Sequence, residues 1–84
     1  MKQCMITFRS VTPAQRGEGL LKKAAIVARL QRTPRYMQEK GCGYSLRLRC
    51  QDLPDAVALL RQQGIPFQKA YSLAEDGRAE EWEI

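Results

Sequence analysis

The chain has 84 residues, 44% of them apolar and 27% charged, with a net charge of +5. That length holds one domain, and for that balance disorder is not the default reading. No run approaches the roughly 20 apolar residues of a membrane span. The start turns polar at Arg9 and Ser10, too early for a secretory leader, which predicts a cytoplasmic, bacterial-type protein.

Residues 4–9, Cys-Met-Ile-Thr-Phe-Arg, alternate and are rich in β-formers, so they predict a first strand. Cys4, Ile6 and Phe8 would face inward, and Met5, Thr7 and Arg9 outward. Thr12, Pro13 and Gln15 have the spacing of a capping box, predicting a helix over 13–24. Leu20, Leu21, Ala24 and Ala25 form its apolar face, and Gly17 lets it approach the sheet. A second strand over 26–31 puts Ile26, Ala28 and Leu30 on one side and Arg29 and Gln31 on the other. Thr33-Pro34 ends it, because proline lacks the donor that a ladder needs. A loop rich in Arg, Lys and Gly follows over 33–43, with Tyr36 and Tyr44 beside it.

Residues 44–50, Tyr-Ser-Leu-Arg-Leu-Arg-Cys, give the clearest alternation in the chain. Leu46, Leu48 and Cys50 would point in; Ser45, Arg47 and Arg49 would point out. Asp52 is placed to cap a second helix that has Pro54 in its first turn and Gly64 as its stop. Leu53, Ala56, Val57 and Leu60 make its buried stripe. A last strand runs over 65–73, and Pro66 points to an edge position.

Leu20-Leu21-Lys22-Lys23 before Ile26 resembles Leu59-Leu60-Arg61-Gln62 before Ile65, an internal repeat of strand, helix and strand. Two such halves predict an α+β, ferredoxin-like βαββαβ fold: a four-stranded antiparallel sheet with two helices on one face. Residues 1–74 form the domain. They hold 13 Lys+Arg against 4 Asp+Glu, whereas the tail, 75–84, carries a net charge of −4. Such a body attracts anions. The tail could lie across the basic face, anchored by Trp82.

The helices would leave Arg9, Arg29, Arg47 and Arg49 on the uncovered face. One reading is a solubilising surface; the other is an anion-binding one. RNA-binding sheets of this topology stack bases on aromatic residues of their central strands. Ser45, Arg47 and Arg49 occupy those positions here, so nucleic acid is not the expected partner.

The three cysteines are Cys4, Cys42 and Cys50, and the chain has no histidine. The odd count predicts free thiols, with Cys4 and Cys50 in the core. No spacing suits a metal, and neither a cofactor motif nor a catalytic base is present, so an enzyme acting alone is not expected. Cys42 stands apart because Gly41 and Gly43 flank it, leaving its thiol sterically open. Arg35 and Lys40 lie near in sequence, and cations favour the nucleophilic thiolate.

In their order and spacing, Ile6-Thr7-Phe8-Arg9-Ser10, Leu20-Leu21-Lys22-Lys23-Ala24, Arg32-Thr33-Pro34-Arg35 and Cys42-Gly43 resemble a small bacterial family of selenium/sulfur carrier-like proteins. The resemblance covers roughly residues 5–73. Members typically approach the Cys-Gly through serines, where this chain has Met37-Gln38-Glu39-Lys40-Gly41. The resemblance implies a carrier with Cys42 as the attachment point for sulfur or selenium. Arg35 would stabilise the anion, helped by backbone N–H groups near Gly41 and Gly43. It also implies donor and acceptor proteins as partners. Two alternatives stay open: a non-catalytic module binding an anionic ligand or a protein on its basic sheet face, and a homo-oligomer, in the simplest case a homodimer, formed through sheet edges or faces.

Overall fold

Cys4, Met5, Ile6, Thr7 and Phe8 are all buried, so this strand must be covered on both faces and paired on both sides. The computed structural model, which describes residues 2–33, 43–74 and 78–82, places it at the centre of a sheet. The elements in chain order are β1 (Gln3–Phe8), α1 (Val11–Lys23), β2 (Ala28–Arg32), β3 (Tyr44–Arg49), α2 (Leu53–Gln62), β4 (Ala70–Leu73) and β5 (Ala79–Trp82). The sheet order is β2-β3-β1-β4-β5, and every pair is antiparallel.

The first four strands and two helices have the expected ferredoxin-like order, but the sheet has five strands rather than four. The acidic C-terminal segment supplies the fifth. Ala74 donates to the carbonyl of Arg78 at 2.8 Å, and β5 then pairs along β4. Ala79 packs beside Met5, Tyr71 and Leu73 in a small cluster on the sheet face away from the helices. Lys69 meets Glu81 at 3.0 Å. β4 is therefore interior, not the edge that Pro66 suggests. It is also shorter than expected, because the chain is irregular before Ala70. Gln68 donates to the carbonyl of Thr7, Thr7 donates its own N–H to the Lys69 carbonyl, and the Lys69 N–H turns to Thr7 Oγ1. Two residues thus answer one, as in a bulge.

Cys4, Ile6, Phe8, Leu46, Leu48 and Ala70 face the helices and join Ala14, Leu21, Leu53, Ala56, Val57 and Leu60 in one core. The stripe expected on α2 is its buried set. On α1 the buried residues are Ala14, Gly17 and Leu21, while Ala24 and Ala25 lie beyond the helix and are exposed. This helix begins earlier than the sequence predicts, with Ser10 as N-cap in extended backbone and no side-chain cap bond. Thr12 falls inside the first turn, so the Thr12–Gln15 capping box does not form. Packing of Ala14, Gly17 and Leu21 on the sheet outweighs the local signal. A Cβ on Gly17 would sit 3.1 Å from Leu60 and 3.2 Å from Leu46, which is the close approach its glycine permits.

The internal repeat is a pair of matching helix ends. Ile26 donates to Leu21 O at 2.8 Å and Ala25 to Lys22 O at 3.0 Å. Ile65 donates to Leu60 O at 2.9 Å and Gly64 to Arg61 O at 3.2 Å. Both are Schellman motifs, each closed by a buried isoleucine after the turn. They differ in the left-handed residue, which is Gly64 (φ 66°) in one and Ala25 (φ 61°) in the other.

Cys4 and Cys50 are joined by a disulfide, with Cα atoms 4.9 Å apart, where the cysteine count predicts free thiols. The reason is topological. β1 lies beside β3, and Cys50 follows the last β3 residue, so two inward-facing cysteines meet at one end of the sheet. Both free sheet edges are blunted. Glu18 Oε2 accepts the outward Leu30 N–H of β2 at 3.0 Å, and Glu80 and Glu81 stand on β5.

These features set the response of stability to substitution, read by urea denaturation. Ala25→Gly should stabilise by about 0.5–1 kcal/mol by relieving the left-handed backbone, and Gly64→Ala should destabilise by about 1 kcal/mol. Gly19→Ala, with nothing within 4 Å of the new Cβ, should stabilise by about 0.5–1 kcal/mol, whereas Gly17→Ala should destabilise, because Leu46 and Leu60 are fully buried and have nowhere to go. Reducing the Cys4–Cys50 bond, which spans 46 residues of sequence, should cost about 2–4 kcal/mol.

Candidate functional site

Arg35, Gly41 and Cys42 lie outside the described residues. What is described is the frame on either side of them. β2 and β3 pair from Ala28↔Leu48 to Arg32↔Tyr44, and Thr33 donates to the Gly43 carbonyl at 3.1 Å beyond the last rung. The Arg32 guanidinium lies 5.8 Å from the centre of the Tyr44 ring, a cation–π contact that steadies the same rung. Gly43, one peptide link from Cys42, has no positive φ, and a Cβ added to it would meet nothing within 4 Å. Among the described residues nothing crowds that position.

Phe8 faces Tyr44 across β1 and β3, so the exit of β1 and the start of α1 share this end of the sheet with Gly43. Arg9 belongs to this end and not to the open face expected for it, because β1 stops at Phe8 and the chain turns into α1. A groove of about 620 Å³ lies here, lined by Arg9, Ser10, Thr12, Arg16, Phe67 and Gln68 among others. Sequence reasoning misses Arg16. Its signal is the four-residue spacing from Thr12, which puts both on one side of the first helical turns.

The other three arginines share the open face as expected. Arg29 and Arg47 are direct cross-strand partners, and Arg47 in turn faces Met5. Arg49 lies one rung along and gives its Nε to Asp52 Oδ2 at 3.2 Å, so it is partly neutralised. The Asp52 carboxylate makes this bond and no side-chain cap to α2. A second groove of about 540 Å³ runs between these residues, bounded by Gln3, Val27, Arg29, Gln31, Arg47 and Arg49. The described part of the acidic tail does not cover it: β5 is at the opposite side of the sheet, beyond β1 and β4. Ser45, expected to point outward, is on the open face yet fully buried, and its Oγ has no hydrogen-bond partner.

The disulfide accounts for Cys4 and Cys50 and does not include Cys42. The sequence carries a signal for it: both cysteines fall on inward positions, at the ends of strands that a ferredoxin-like order makes neighbours. Among the described residues no group of three or more His, Cys, Asp or Glu is arranged to hold a metal, and no helix is long and apolar enough to cross a membrane.

Comparison with known proteins gives one family. Residues 3–72, from β1 to the third residue of β4, match the family described as "Putative Se/S carrier protein-like". No curated protein and no solved structure matches the chain. The match takes in both helices, the first four strands but for Leu73, and Cys42 with its flanking glycines, and the chain belongs to the Se/S carrier protein-like family.

Proposed function

We propose that the protein carries sulfur or selenium as an adduct of Cys42. The observation that supports this most is the Cys4–Cys50 disulfide, which sets two of the three cysteines aside and leaves Cys42 to act as nucleophile. Family membership supplies the cargo class.

The chemistry balances without an added oxidant. The Cys42 thiolate attacks the outer sulfur of a donor persulfide. A new S–S bond forms at Cys42, the donor's S–S bond breaks, and the donor leaves as a thiol that keeps the proton. With a donor carrying selenium, the outer atom is selenium and a S–Se bond forms in the same way. Release to an acceptor is the reverse step on a second thiolate. The protein then turns over nothing by itself; donor and acceptor proteins supply and remove the atom.

A carrier of this kind needs a thiolate that is open to large partners and stabilised by local donors. Gly41 and Gly43 place no side chain beside Cys42, and Arg35 offers a guanidinium within the same loop. Arg9 and Arg16 stand at the sheet end where Gly43 rejoins β3, and add positive potential there. The proposed compartment is the cytoplasm, so loading is best compared with the Cys4–Cys50 bond both intact and reduced.

The test is intact-mass analysis after incubation with a cysteine desulfurase and cysteine, then with selenocysteine as the alternative substrate. Wild-type protein should gain the mass of one chalcogen atom, Cys42→Ser should gain none, and the Cys4→Ser/Cys50→Ser double variant should still load. No gain under conditions that load a known acceptor, or undiminished gain in Cys42→Ser, would contradict the reading.

A further inference from the structure

The open face of β2 and β3 carries an arrangement that stability does not explain. Arg29 and Arg47 are directly opposed across the two strands, a like-charge pair that is unfavourable in a sheet. Both side chains are exposed, and among the described residues neither has an acidic partner. The remaining positions of β1, β2 and β3 on this face are Gln3, Met5, Thr7, Gln31, Ser45 and Arg49, so none of the described strand positions here is a carboxylate. Two described acids of neighbouring elements are engaged elsewhere. Asp52 holds the Nε of Arg49, and Glu18 accepts the Leu30 N–H at the sheet edge. The acids of β5 are three strand spacings from β3, roughly 14 Å, beyond the screening length at physiological salt.

Around this pair lies the groove of about 540 Å³, within the range of small-molecule sites. Its polar lining is Gln3, Arg29, Gln31, Arg47 and Arg49, with two amides and three guanidiniums. Guanidiniums present planar forks of N–H donors that match the oxygens of phosphate and carboxylate. Two facing forks with amides alongside suit an anion that has several oxygens and more than one charge. Among the described residues no aromatic ring lines the groove, so they offer nothing on which a base could stack.

We propose that the β2–β3 groove binds a compact, multiply charged oxyanion of the phosphate class, held between Arg29 and Arg47. The site is separate from Cys42 chemistry, and its occupancy does not depend on the thiol.

The test is an NMR titration of the full chain with sodium phosphate, against sodium chloride at matched ionic strength. Saturable shifts confined to β2, β3 and the start of β1 are expected with phosphate and not with chloride. Arg29→Gln/Arg47→Gln should weaken binding at least tenfold, and Arg29→Gln alone should weaken it by an intermediate amount in a chain altered at a single exposed position. Lys22→Gln/Lys23→Gln removes the same charge from the far end of α1 and should bind as the wild type does, as should Cys42→Ser. Adenosine monophosphate should bind no more than a few-fold differently from inorganic phosphate. The proposal is overturned by shifts that track ionic strength alone, by an equal loss in the lysine control, or by a nucleotide preference of tenfold or more.

Discussion

The antiparallel register of β1 against β3 decides where everything else in this protein goes. Cys4 faces Leu48, Ile6 faces Leu46 and Phe8 faces Tyr44. With a side-chain period of two, a slip of β1 by one residue would send Cys4, Ile6 and Phe8 to the opposite face from Leu46 and Leu48. The register also brings Cys50 to Cys4, Arg47 to the open face beside Arg29, and Gly43 to the end where β1 runs into α1. The disulfide locks one end of this pair of strands, and the Thr33–Gly43 hydrogen bond closes the other.

This arrangement separates three chemical environments on a small frame. The helix side is apolar and contains the oxidised Cys4–Cys50 pair. The face away from the helices is basic over β2 and β3, and at β5 it carries Glu81, paired with Lys69. The sheet end that carries Gly43 also gathers Arg9 and Arg16. On the face away from the helices Met5, Thr7 and Ser45 are buried, and Arg29 and Arg47 are exposed to contacts.

The order of the first four strands and both helices is legible in the sequence because their apolar periodicity is strong. The α2 stripe of Leu53, Ala56, Val57 and Leu60 and the inward set of Cys4, Ile6 and Phe8 need no tertiary information. The repeat is legible too, although its physical content, paired Schellman ends at Ala25 and Gly64, emerges only from the backbone. The start of α1 is misplaced because Thr12-Pro13-Ala14-Gln15 is a good local cap, and packing of Gly17 against Leu46 and Leu60 decides otherwise. β5 is not legible. A short acidic segment has the composition of a solvated tail, and only its neighbours on β4 make it a strand. The disulfide is missed when cysteine count and compartment are weighed before strand adjacency. Of the site residues, the open-face arginines are placed by alternation, with Arg9 misassigned because β1 ends one residue before it.

The central claim is that Cys42 is chemically set apart from a disulfide-bonded pair. The direct measurement is alkylation of the native protein without reductant, followed by peptide mapping. One label per chain, on Cys42, with Cys4 and Cys50 recovered as a linked peptide and no sulfur taken up after labelling, is the predicted result. Labels on Cys4 or Cys50, or full sulfur uptake by protein already alkylated at Cys42, would contradict it.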